Sequence, residues 1–468
     1  MSSLSKVDFK DITVTPDQAV KYGSGEQSDT SKSGLTAENI TSKVVQVDYY
    51  EDILSPAVTC YLKCSDTTNM LSRIPLRGYE RIDMTLGTNN GDIKFTTDDG
   101  QNNPLYVTGI EEVSKNENQE IFTLCCSSLQ NLMNETVRCQ QRYKKAEIST
   151  HIETLLKDVL KVPPERMMVE KSITQYEFIG NTRKPFYLCT WLCPKAQPAT
   201  TGQAGGTSGF LFYEDFDGFK FRSVDGIIAS TENVDPKLLV SAGGDAPPEI
   251  ETYTFSTSTD PGEESDNDHK IIHHYMDKTT NLQKNLRIGL YSNLTYFFNP
   301  IDWSTNVIHH KLKEELDREG MKTAAGEVPI PAGDITEYAS RLLVRVGDRG
   351  MLGPSLKETN DDGETEGSGR QDEDMARAFS RYTLLFTQSL NITVPCNIRL
   401  RAGGIVNVVV PVSGPTANEG GTDTADRKEV DQQLSGFYII RSLRHHFELS
   451  EGKNVTALNL IRDSFGLN

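Results

Sequence analysis

Short runs in which apolar and polar residues alternate crowd both ends of the 468-residue chain, and they constrain its fold more than any other feature. SKVVQVDYYEDI, AVTCYLKCSD, ERIDMTLGT, GDIKFTTDD, LYVTGIEEV and EIFTLCCSS follow one another up to about residue 128. Period-two alternation of this kind marks half-buried strands. A series of them predicts a small antiparallel barrel or sandwich. LNITVPCNIRL, GGIVNVVVP, SGFYIIRSLRHHFEL and NVTALNLIR bring the pattern back at the other end. Strand lengths and turn spacing near residue 115 resemble those near 450, although the residues differ. An internal duplication and a chance likeness of two ladders both fit.

Helical signals lie between the ends. In STHIETLLKDVL, 149–160, Ile152, Leu155, Leu156, Val159 and Leu160 form one apolar face. Thr150 with Glu153 makes a capping box, and Pro163 and Pro164 stop the helix. A second short helix is expected within 182–196, with Pro185 in its first turn, and a third at 375–388. Polar stretches at 18–40, 197–209, 358–374 and 413–433 read as loops.

The balance of 66 acidic against 48 basic residues, a net charge of -18, disfavours a general grip on nucleic acid, which needs clustered Lys and Arg. It suits solubility, or a surface past which DNA moves without sticking. No apolar run approaches the length of a membrane span, and MSSLSKVDFKDITVTPDQ has no hydrophobic signal core. A soluble protein made in a cytoplasm is the expectation. Among the eight cysteines, Cys60 and Cys64 are four apart, as are Cys189 and Cys193, while Cys125 and Cys126 are adjacent. Without paired CxxC spacing these read as buried thiols rather than zinc ligands or a disulfide framework.

GFLFYEDFDGFKFRSVDG, 209–226, is the most site-like segment. An EF-hand loop needs a glutamate six residues after its glycine, where Val224 stands after Gly218. Asp215 and Asp217 could serve as an acid–base pair, but nothing else marks a substrate cleft. A hairpin explains more residues. Phe210, Phe212, Phe219 and Phe221 keep period two on either side of a turn, Gly218 supplies positive φ, and the aspartates bond to turn amides. His269, His273 and His274 lie close together with Asp277 near, and on a helix His269 and His273 would share a face; no HExxH pattern accompanies them, and ordinary surface or strand histidines fit better. Whether they hold an ion stays open at this stage. No phosphate loop, nucleophile elbow or dinucleotide fingerprint is present. No catalytic residue, metal or cofactor is therefore expected, and the protein reads as a non-enzyme.

SGFLFYEDFDGFKFRSVDG resembles the mid-chain hairpin of central baseplate hub proteins of T4-like contractile-tailed bacteriophages, or myoviruses. AGGIVNVVVP, SGFYIIRSLRHHFE and TALNLIRDSFG resemble their C-terminal part; ITSKVVQVDYYEDILSPAVTCYLKCSD and LRGYERIDMTL resemble their opening domain. The resemblance implies a mixed, mainly β fold with two tube-like antiparallel β-barrel domains plus α+β domains. The first barrel would span 1–125, followed by an α+β domain at 126–205. The second barrel would combine 206–245 with 385–468, around an inserted collar domain at 246–384. Structural residues of the second barrel would be the hairpin set Phe210, Phe212, Asp215, Asp217, Gly218, Phe219 and Phe221. The C-terminal strands would add Val408, Val410, Tyr438, Ile440, Leu443, Leu458 and Leu460, with a bulge between 438 and 443 where alternation breaks. The implied function is a homotrimeric hub adapting a threefold central spike to a sixfold tail tube and lining part of the DNA channel. Its partners would be the spike, the tail tube or tube-initiator protein, and possible tape-measure and baseplate wedge proteins. DNA would be met only in transit, with no membrane insertion. The location would be the tail baseplate of the virion, after assembly in the host cytoplasm. A tail-associated cell-wall hydrolase and a peripheral or receptor-binding baseplate protein are the alternatives.

Overall fold

The structure, a computed structural model, describes residues 8–16, 37–73, 76–88, 91–97, 103–199, 207–229, 250–255, 269–278, 281–300 and 303–316. It also describes 321–346 apart from 322, 325 and 332, then 356–359, 365–368, 371–411, 430–449 and 454–466. Most of the polar stretches 18–40 and 413–433 and the centre of 197–209 lie outside these residues.

Eight strands build the N-terminal ladder: β1 (Asp8–Thr15), β2 (Glu38–Asn39), β3 (Val44–Asp52), β4 (Thr59–Asp66), β5 (Arg81–Thr88), β6 (Gly91–Phe95), β7 (Leu105–Lys115) and β8 (Glu120–Ser128). Next come β9 (Arg142–Glu147), β10 (Met167–Val169), β11 (Gln175–Ile179) and the hairpin β12 (Phe210–Asp215) and β13 (Gly218–Ser223). The middle region holds β14 (Glu251–Thr254), β15 (His273–Lys278), β16 (Ser292–Phe298), β17 (Thr305–Lys311), β18 (Arg341–Val346), β19 (Leu356–Thr359) and β20 (Thr365–Ser368). The C-terminal ladder is β21 (Gln388–Pro395), β22 (Ile405–Val409), β23 (Gly436–Glu448) and β24 (Asn454–Arg462).

Both ladders belong to one 14-stranded sheet, whose main path runs β15-β21-β24-β23-β3-β4-β8-β7-β5-β1-β2. This corrects the expected fold class: among the described residues neither end of the chain closes into a barrel. The pairing explains why. β3 bonds β4 on one side and β23 on the other, from Ser442↔Asp52 to Glu448↔Gln46. The edge on which the N-terminal ladder could have closed is thus occupied by a C-terminal strand. The path ends on β15 and β2, so the sheet stays open. β23 changes alternation by a register shift between Ile440 and Ser442, a bulge that turns its second half toward β3.

The helix at Ile148–Thr154 continues as a single wide π-type turn over Leu155–Val159. It starts before Thr150, so no capping box forms; Glu147 occupies the N-cap without a side-chain bond. Pro185–Leu192 forms the second helix, with Pro185 where its missing N–H costs least. The third starts at Gln371 and ends at Leu384. Part of the expected acidic loop 358–374 instead pairs as β19 with β20. His273 and His274 lie on β15, a strand rather than a helix, so neighbouring side chains point to opposite faces. Among the described residues no group of three or more His, Cys, Asp or Glu is placed to hold a metal, and no helix is long and apolar enough to cross a membrane. All eight cysteines are buried and free.

Candidate functional site: an acidic hairpin where three cores meet

The β12–β13 hairpin divides its side chains among three separate apolar clusters. Phe210, Phe212, Phe219 and Phe221 pack with Ile152, Leu155 and Leu188 of the helical region. Phe210 stacks on Phe221 at 4.4 Å between ring centres, and Phe212 on Phe219 at 6.0 Å. The alternate residues Leu211 and Tyr213 face Ile405, Phe437 and Ile439 of the C-terminal ladder. At the tip, Phe216 enters the N-terminal core beside Phe95, edge to face at 5.1 Å. Every residue from Phe210 to Phe216 is buried. A period-two strand buried on both faces accounts for that division.

Gly218 makes the close approach possible. Its φ is +130°, and a Cβ there would stand 2.2 Å from the Arg166 carbonyl oxygen, because β10 runs parallel against β13. Asp215 Oδ1 accepts from the Asp217 and Gly218 amides at 2.9 and 3.0 Å, fixing the turn from within. Asp217, the exposed residue of the tip, pairs with Arg401 Nε at 3.1 Å. Neither aspartate is left free for acid–base chemistry.

Two further buried carboxyls complete the cluster. Glu214 Oε2 accepts from Ser128 Oγ at 2.6 Å and the Val58 amide at 3.2 Å. Its Oε1 lies 3.7 Å from Arg166 without a hydrogen bond. Glu51, on the core side of β3, accepts from the amides of Phe216 and Ala402 at 2.8 Å each and from the Tyr49 hydroxyl at 3.1 Å. Burial pushes the Glu214 carboxyl up to about 7 against the pull of Arg166. Burial, reinforced by the charge of Asp215, drives Glu51 upward too, and burial raises Asp215 despite Lys220 at 3.7 Å. Around neutral pH the cluster holds protons that ordinary carboxylates would have lost. Chemically the arrangement is a latch: Glu51 bonds the hairpin tip and the 396–404 loop to the main sheet, and Glu214 bonds the hairpin to β8.

Glu51, Glu214 and Arg401 do not stand out by motif. The available signal was phase: Tyr49 and Glu51 share the core-facing parity of β3, and an acid there needs buried donors. Elsewhere, Val408 is buried in β22, with Val410 just past its end. Tyr438, Ile440, Leu443, Leu458 and Leu460 pack with Tyr253, Leu390 and Ile392 in a fourth cluster. The structure therefore does not bring these C-terminal residues into one core with the hairpin phenylalanines. His269 pairs with Glu251 at 2.9 Å rather than with His273.

The β3–β23 seam carries its own polar bridge. Asp48 Oδ1 accepts from Arg444 at 2.9 Å and lies 2.7 Å from His446 Nδ1. Burial raises this carboxyl, but the Arg444, His446 and Gln46 hydrogen bonds outweigh it and hold the group below its ordinary value. On the sheet face beside the seam runs a groove of about 720 Å³, crossing strands from both ladders. Tyr50, Tyr61, Asn391, Thr393, Arg444 and Asn459 are among its lining residues.

No family model matches the chain, and no curated protein matches it in sequence. Solved structures do match. A tail protein from Neisseria meningitidis MC58 aligns over 98% of this chain and 97% of its own at TM-score 0.51 and 11% identity. A prophage tail protein from Shewanella oneidensis aligns over 99% of each at 0.44 and 8%. An Escherichia coli type VI secretion component aligns over 91% and 76% at 0.40 and 9%. The first of these establishes a shared fold over nearly the full length of both chains.

Proposed function

We propose that this chain is a non-enzymatic structural subunit of a contractile-tail baseplate, acting as a homotrimeric central hub between spike and tail tube. One observation carries the reading: β3 and β23 join the two ends of the chain into a single open sheet. Each subunit then offers two wall segments, one from each ladder, and three subunits offer six. That arithmetic relates a threefold spike to a sixfold tube without any closed barrel within a subunit. Fold likeness to a bacterial tail protein supports the same role. The groove face, rich in Ser, Thr, Asn and Tyr with few basic residues, suits a wall along which DNA passes without being held. In this reading 1–125 and 385–468 supply the wall and 126–245 braces it through the hairpin, while 246–384 forms the collar toward the spike. The site is the virion baseplate.

Native mass spectrometry and electron cryomicroscopy of the full chain with its cognate spike test the reading. A stable trimer showing six wall segments around a threefold axis is the expected result. A chain that stays monomeric with spike present, or that degrades peptidoglycan, overturns it.

A further inference from the structure

The small sheet β17-β16-β18 buries one face and leaves the other bare. Asn293, Thr295, Phe297 and His310 are buried on the inner side, where Asn293 Nδ2 reaches Ser380 Oγ of the 371–384 helix at 3.3 Å. The outward residues alternate with them. Register places Val307, Tyr296 and Val344 side by side across the three strands. Leu342 and Val346 flank Val344 at 58% and 67% exposure, with Val344 itself at 66%. Trp303, 79% exposed, sets its ring edge-on to Phe298 at 5.8 Å. Of the eleven positions on the outward parity of these strands, only Lys311, at the end of β17 and paired with Glu337, is charged.

Scattered apolar residues on a surface need no explanation, but a contiguous face does. Nine of the nineteen large exposed apolar side chains among the described residues fall between 282 and 346. Three strands about 4.8 Å apart, with three outward rows, give a face of roughly 300–400 Å². That is too small to hold two proteins alone, and about right for the apolar centre of an interface burying roughly 800 Å² per partner.

Charge indicates which partner. The chain carries -18, yet residues 281–346 hold eight Lys and Arg against eight Asp and Glu. All of the net charge therefore lies outside this segment. A basic partner would be drawn to the acidic remainder of the surface. Another copy of the same acidic chain would be repelled there and tolerated here.

We propose that the outer face of β16, β17 and β18 is the surface through which copies of this chain contact one another. The inference rests on the trimer reading above and adds the residues that make the contact.

The test is native mass spectrometry and sedimentation of the full chain beside Val344→Glu and a control, Thr393→Glu, in the groove on the main sheet. Wild type and control are expected to form trimers, while Val344→Glu weakens assembly at least 100-fold with its circular dichroism unchanged. Leu342→Gln, a milder change on the same face, serves if Val344→Glu does not fold, and is expected to weaken assembly about tenfold. Trimers persisting in the folded face variant overturn the surface and leave the hub reading intact. Equal loss in the Thr393→Glu control also overturns the surface. A monomeric wild type overturns both.

Discussion

Two buried acidic joints hold this molecule together, and they treat charge in opposite ways. At the first, Arg381 stands between two carboxylates, donating to Asp463 at 2.7 Å and Asp225 at 2.9 Å. Asp225 also accepts from the Thr207 amide and hydroxyl, and Asp463 from the Ala324 amide. Burial works against the Arg381 charge, but the two carboxylates outweigh it and hold the guanidinium protonated. At the second, Glu51, Glu214 and Asp215 take their direct bonds from neutral donors, while Arg166 and Lys220 stay 3.7 Å away. A cation in direct contact keeps a buried acid ionised; neutral donors and distant cations leave it holding a proton. Arg381 therefore keeps its charge across the ordinary pH range, whereas the carboxyls of the second joint change protonation within it.

Breaking the Arg381 joint should have the largest effect. Arg381→Met leaves two carboxylates buried without their cation and is expected to cost about 3–5 kcal/mol in urea unfolding. Adding Asp225→Asn and Asp463→Asn to it should recover much of that loss. Unchanged stability in Arg381→Met would remove the distinction between the joints.

The proton-holding joint should declare itself through pH. Glu214 keeps its proton more tightly in the folded chain than in the unfolded one, where the ordinary value near 4.5 applies. Its contribution is fully present below that value and is lost as pH rises through about 7. Glu51 and Asp215, also shifted upward, act with the same sign. Glu214→Gln retains an oxygen for Ser128 and Val58 and cannot ionise. It should flatten the fall in stability between about pH 5 and 7.5, by on the order of 1–3 kcal/mol. A wild-type profile as steep as the variant's would count against the assignment. The smallest effect belongs to the rim: Asp217→Asn breaks an ion pair whose acid is half exposed, with an expected change under about 0.5 kcal/mol in the same urea assay.

Much of the strand order and the hairpin itself could be read from alternation, because Phe210, Phe212, Phe219 and Phe221 keep parity through the turn. Closure could not. Alternation records which side chains point inward, not which backbone edges bond, and β3 carries the same pattern whether it meets β1 or β23. The histidine segment shows the same limit: HKIIHHYMD has apolar residues at spacings that serve helix and strand alike, and pairing with β21 places it on a strand. The latch stayed hidden because Glu51, Ser128, Glu214 and Arg401 are far apart in sequence and match no motif. Only the inward parity of Glu51 announced it.

The β3–β23 seam also sets an order of events. Arg444 finds Asp48 across 396 residues, so the sheet cannot be completed until almost the whole chain exists. At roughly 5–20 residues per second of synthesis, β3 waits on the order of 20–80 s with one edge unpaired. An unpaired edge of this length is a template for any other strand nearby. Chains emerging together on one messenger would each display the same waiting edge. The route to misassembly that this seam creates is premature pairing of the β3 edge during synthesis.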